Sequence, residues 1–121
     1  MAMTKKTILS VDDDANIRDY LETLLTDNGY EVLTAASGDQ AMELLKTVHP
    51  DCITLDIEMP DKTGPWVSRA LARDNSLADI PIIVITGHAE LRYIIPKAAA
   101  FLGKPFNPDE VLRVVRETIG A

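Results

Sequence analysis

Five short apolar runs punctuate the chain, at 7–11, 31–35, 51–55, 81–85 and 98–102. Each is about five residues long, the length of a strand and too short for a helix. Within them "CITL" and "IIVI" are apolar at every position, as in strands covered on both faces. Between the runs the period changes. Ile17, Leu21, Leu24 and Leu25 form one stripe at helical spacing, and Ala41, Leu44, Leu45 and Val48 form a second. Val67, Ala70 and Leu71 make a shorter third, and Val111, Val114, Val115 and Ile119 make the last.

Punctuation agrees with these elements. Asn28-Gly29 closes the first helix, and Gly120 closes the last. Ser37 is placed to cap the second helix, and Asp14 to cap or charge the start of the first. Asn107-Pro108-Asp109-Glu110 reads as an N-cap, a proline at N1 and two acids favoured by the helix dipole. Strands alternating with helices predict an α/β domain built on a single five-stranded parallel sheet with helices on both faces. There is no repeat and no linker, so residues 1–6 read as an N-terminal tail and 7–121 as one domain.

Composition narrows the function classes. A chain of 121 residues, 46% hydrophobic, buries a core without staples. Its net charge of −7 leaves no basic patch for phosphates and argues against direct nucleic-acid binding. The longest apolar stretch, at 80–85, is too short to span a bilayer. No apolar segment follows the basic residues of the N-terminus, so no secretory signal is visible. The single cysteine, Cys52, excludes an internal disulfide, reads as a small core residue, and fits a cytoplasmic protein.

The chemistry lies where the strands end. The first run leads into Asp12, Asp13 and Asp14, although two charges about 4 Å apart repel by roughly 4 kcal/mol at an effective dielectric near 20. Asp56 follows the third run, Thr86 the fourth and Lys104 the fifth. In open parallel sheets ligands bind beyond the carboxyl ends of the strands, so these five residues are expected at one rim. Asp12, Asp13 and Asp56 there supply oxygen ligands for a hard divalent cation, Mg2+ by default. Asp56 stands where a carboxylate can act as nucleophile and form an aspartyl-phosphate. Lys104 and Thr86 can neutralise or bond phosphoryl oxygens.

With "VDDD" at 11–14, "LDIEMPDKTG" at 55–64, "PIIVITG" at 81–87 and "FLGKPF" at 101–106, the chain resembles the receiver domains of two-component response regulators. The resemblance runs from about Thr7 to Ile119. It implies the doubly wound strand order 2-1-3-4-5. It makes Asp56 the phosphoacceptor, with Mg2+ held by Asp12, Asp13, Asp56 and the Glu58 backbone carbonyl. Lys104 and Thr86 become the catalytic lysine and hydroxyl, with Thr86 and Phe101 as the switch pair. Lys104–Pro105 is implied to be cis. The partners implied are a histidine kinase or phosphotransfer protein as donor, and a downstream protein or output domain, with a phosphorylation-dependent homodimer as one outcome. Glu58 and His88 fall where flanking side chains influence the lifetime of the phosphate.

The sequence departs from the family in two places. The interval from Thr86 to Lys104 is about one helical turn short and contains Pro96, so the fourth helix is expected to be short or irregular. Pro65 and Trp66 follow Gly64 where an aliphatic and a polar residue are usual, leaving Trp66 partly exposed to a partner. An aspartate-nucleophile phosphohydrolase uses similar parts, but Glu58 stands where such enzymes place a second aspartate, and no cap domain is visible. A docking-only pseudo-receiver is disfavoured by the presence of all five site residues.

Overall fold

The computed structural model describes residues 5–120. Of the tail expected over residues 1–6, only Lys5 and Lys6 fall within that range, and residues 1–4 lie outside it. The strands are β1 (Thr7–Val11), β2 (Glu31–Ala35), β3 (Cys52–Asp56), β4 (Ile82–Thr86) and β5 (Ala100–Gly103). They pair in parallel in the order β2-β1-β3-β4-β5. The helices are α1 (Ala15–Asp27), α2 (Gly38–Leu44), α3 (Gly64–Ala72) and α4 (Pro108–Ile119).

Side chains alternate across a strand, and that alternation sorts the core into two layers. Leu9, Val11, Ile53, Leu55 and Val84 pack with Ala41 of α2, with Leu45 just after it, and with Val67 and Leu71 of α3. Ile8, Ile83, Ile85 and Leu102 pack with Leu21 and Leu25 of α1 and with Val111, Val114 and Val115 of α4. Each fully buried Leu, Ile or Val contributes about 1.5–3 kcal/mol. Two buried hydroxyls satisfy each other, Thr54 Oγ1 donating to Ser10 Oγ at 2.9 Å. Cys52 is fully buried, and burial pushes its thiol up to about 12, so it is an inert core residue.

The caps hold as their residue types require. The Asp14 side chain accepts from the Asn16 N–H, Ser37 from Gln40, and Asn107 from Glu110. Gly29 takes φ +93°, the left-handed region in which glycine leaves a helix without strain. Several boundaries differ from the apolar pattern, β3 and β4 each lying one residue later than the runs at 51–55 and 81–85. The α2 helix ends at Leu44; residues 45–47 continue as a turn, and Val48 follows it. The β5 strand begins at Ala100 instead of residue 98, because Ala98 still bonds to Ile95 within the preceding turn.

The fourth helix of the sequence reading is reduced to one 3-10 turn, Ala89–Leu91. Pro96 and the short interval leave no room for another turn of helix. The segment is pinned by the buried Ile95, while Tyr93 is 74% exposed and Ile94 is also exposed.

Candidate functional site

Parallel strands deliver their last residues to the same rim. The ladder pairs Val11 with Leu55, Asp56 with Ile85, and Thr86 with Gly103. Asp12 extends β1 by one residue, its N–H donating to the Ala35 carbonyl at 3.1 Å. Lys104 extends β5 likewise, its N–H donating to the Thr86 carbonyl at 2.8 Å. The carboxylates of Asp12, Asp13 and Asp56 each offer an oxygen within 4.8 Å of the others. Asp12 and Asp56 are buried and Asp13 is exposed, so the cluster opens to solvent on one side only.

Lys104 supplies the opposing charge. Its Nζ donates to Asp12 Oδ2 at 3.1 Å and to Asp56 Oδ1 at 3.2 Å. The second oxygen of Asp12 accepts from the Asp14 N–H at 2.9 Å. Burial raises the Asp56 carboxyl to about 6, with the Asp12 charge adding to the rise and Lys104 opposing it. Burial also works against the Lys104 charge, but its hydrogen bond to Asp12 and the Asp56 charge outweigh that, and its pKa lies above the ordinary lysine value. One cation therefore does not neutralise the pocket. Oxygen donors of this number and charge, carrying excess negative charge at a half-open rim, fit a hard divalent ion such as Mg2+.

Two loops are shaped around Asp56. Asp61 takes φ +63°, turning the chain after β3. A Cβ on Gly64 would stand 2.7 Å from the Asp56 carbonyl oxygen, so only glycine lets α3 begin this close to the site. The Thr63 hydroxyl caps α3, and Pro65 occupies its first turn without penalty. Trp66 is half-buried against the core, and Lys62 Nζ lies 5.1 Å from its ring centroid. Across the rim, the peptide bond Lys104–Pro105 is cis, as the resemblance implied.

The Thr86 hydroxyl donates to Glu58 Oε1 at 3.4 Å and accepts from the His88 N–H at 3.1 Å. His88 Nε2 lies 3.4 Å from the same Glu58 oxygen, and its Nδ1 lies 3.4 Å from Glu90 Oε1. The fold thus brings Asp12, Asp13, Asp56, Thr86 and Lys104 to one rim and sets the Glu58 side chain beside Thr86. Glu58 was expected to offer its main-chain carbonyl to the ion and, with His88, a side chain flanking the phosphate; its side-chain contact with Thr86 depends on loop geometry that no spacing reports. Phe101 is half-buried on the neighbouring β5, beside a 280 Å³ groove bordered by Tyr93, Ile95 and Ala98. His49 is exposed at the α2–β3 turn, its Nε2 2.9 Å from the Ser76 carbonyl and remote from the rim. Arg18 had no role in the sequence reading, yet its Nη1 donates to the Asp12 carbonyl at 2.8 Å.

Comparison with known proteins agrees with this arrangement. A family profile described as the response regulator receiver domain matches residues 8–116. The probable transcriptional regulator ycf27 of Cyanophora paradoxa is 37% identical over 123 residues, covering 98% of this chain. The chain spans 50% of the length of that relative. Among solved structures, the chemotaxis protein CheY4 of Vibrio cholerae superposes with a TM-score of 0.88 at 30% identity, covering 95% of this chain and 99% of CheY4. The response regulator TrrA of Thermotoga maritima, solved in complex with Mg2+-BeF, superposes at 0.84 with 34% identity over 93% of this chain and 98% of TrrA. By fold, rim chemistry and kinship, the chain belongs to the family of response regulator receiver domains of two-component signal transduction.

Proposed function

We propose that Asp56 is the phosphoacceptor of this chain and that Asp12, Asp13 and Asp56, with the Glu58 main-chain carbonyl, hold Mg2+ beside it. The observation that carries this reading is the convergence of three carboxylate oxygens within 4.8 Å, two of the three carboxylates, Asp12 and Asp56, being bridged by a single lysine. When bound, Mg2+ supplies positive charge to a phosphoryl oxygen and relieves the repulsion among the carboxylates. Asp56, raised to about 6, is mostly ionised at neutral pH and available as a nucleophile. Its carboxylate oxygen attacks the phosphorus of a phosphohistidine on a kinase or phosphotransfer protein. The new O–P bond forms as the P–N bond breaks, and the bonding pair leaves on the imidazole nitrogen. Lys104, already bonded to Asp56, keeps its proton and pairs with a second phosphoryl oxygen.

Thr86 then exchanges its bond to Glu58 for one to the phosphoryl group, and Phe101 follows inward. The exchange shifts a two-state equilibrium at the β4–β5 connection, which presents Tyr93 and Ile94 to a downstream protein, an output domain or a second copy. The site catalyses its own phosphorylation and slow dephosphorylation, without turning over a metabolite. The test is intact mass after incubation with Mg2+ and a small acyl phosphate. One phosphate-sized increase in the native chain, absent from Asp56→Asn, is expected. No increase, or one that persists in that variant, removes the proposal.

A further inference from the structure

We propose that Arg18 is a positioning residue for the metal-side carboxylates, acting through the Asp12–Asp13 peptide; the proposal rests on the Mg2+ site inferred above. Asp12 is fully engaged. Its N–H is bonded to Ala35, one carboxylate oxygen to the Asp14 N–H and the other to Lys104. The remaining group is its carbonyl, and Arg18 Nη1 occupies it at 2.8 Å. That carbonyl belongs to the peptide that joins Asp12 to Asp13. A rotation of that peptide plane redirects the Asp13 side chain relative to Asp12, so whatever fixes the plane fixes how the two carboxylates converge.

Arg18 is placed for this by the helix that follows. Asp14 caps α1 through its side chain, and its carbonyl accepts the Arg18 N–H at 3.1 Å, the first turn of the helix. Main chain and side chain of one residue therefore close the same loop at both ends. A half-buried guanidinium on a carbonyl is a charge-assisted bond, stronger than a neutral one. It also sets a permanent positive charge behind a cluster of acids without occupying any carboxylate oxygen needed for the ion. Partners that orient metal ligands from behind typically cost 10–100-fold in metal affinity when removed.

Arg18→Met keeps the apolar stem and removes every donor. Mg2+ affinity, followed by calorimetry, is expected to weaken about 10-fold or more. Phosphorylation of Arg18→Met at saturating Mg2+ is expected to recover toward the native rate, since the lesion is in ion binding. Arg18→Lys, which restores one charged donor, is expected to regain most of the affinity. Should Arg18→Met fail to fold, Arg18→Leu, which also lacks every donor, takes its place with the same expectation of weakened binding. A folded donor-deleted variant with native Mg2+ affinity overturns the positioning role alone. Native protein that takes up no Mg2+ overturns the site itself, and the role of Arg18 with it.

Discussion

Asp56 sits under electrostatic tension. It is buried, faces the Asp12 carboxylate, and shares one lysine with it. The raised pKa turns this into a pH dependence whose sign is fixed. The folded protein holds the Asp56 proton up to about 6, whereas an ordinary aspartyl releases it near 3.8. Folding therefore retains the full benefit below the lower value and loses it as pH rises through the upper one. The cost above pH 6 is about 3 kcal/mol, at 1.36 kcal/mol per pKa unit. Asp56→Asn removes the titration. Urea unfolding in EDTA should find this variant gaining on the native chain by about 2 kcal/mol between pH 4 and pH 7. A pH-independent difference would mean that Lys104 offsets burial completely. Residue identity at strand ends made this group legible in the sequence, since parallel strands must deliver their termini to one rim. The bonds of Glu58 to Thr86 and of Arg18 to Asp12 were not legible. They arise where loops fold back on the rim, and neither has a repeating spacing.

Elements were readable where local chemistry decides them. Asp14, Ser37 and Asn107 cap their helices because each offers a side-chain acceptor to an N–H with no helical partner. The start of β5 was misread by two residues because Ala98 and Ala99 are apolar whether or not they pair, and a run of alanines carries no period. The β4–β5 connection is held by few buried side chains, Ile95 being the buried one among residues 87–95. Its backbone bonds are mostly short-range, Leu91 to His88, Arg92 to Ala89 and Ile94 to Leu91, and Tyr93 and Ile94 face solvent. By contrast α4 fixes Val111, Val114 and Val115 in the core. Local opening needs little free energy where few apolar contacts are lost. Amide exchange followed by mass spectrometry should find residues 87–95 exchanging about a hundredfold faster than residues 111–117. Equal protection would mean that the connection packs as firmly as a helix, and the proposed exchange of Thr86 bonds would then lack a compliant segment to move.

At the scale of the whole molecule, a net charge of −7 makes the acidic rim part of a general excess, and that links ion binding to stability. Asp13 is the exposed member of the cluster and has no lysine partner among the described residues, since Lys104 contacts Asp12 and Asp56. In the ion-free protein its charge adds repulsion without a compensating bond. Removing it as Asp13→Ala should raise the melting temperature in EDTA, by a small amount because the group is solvated, of order 0.5 kcal/mol. With Mg2+ the order should invert. An ion at about 100 times its dissociation constant stabilises the folded state by about 2.7 kcal/mol. A variant lacking one of its carboxylates binds more weakly and gains less at the same concentration. The native chain should therefore melt below Asp13→Ala in EDTA and above it in millimolar Mg2+, and calorimetry on both proteins reads the crossing directly. A variant that melts lower than the native chain in EDTA would show that Asp13 stabilises the fold by itself, leaving the crowded carboxylates without the cation as their physical reason.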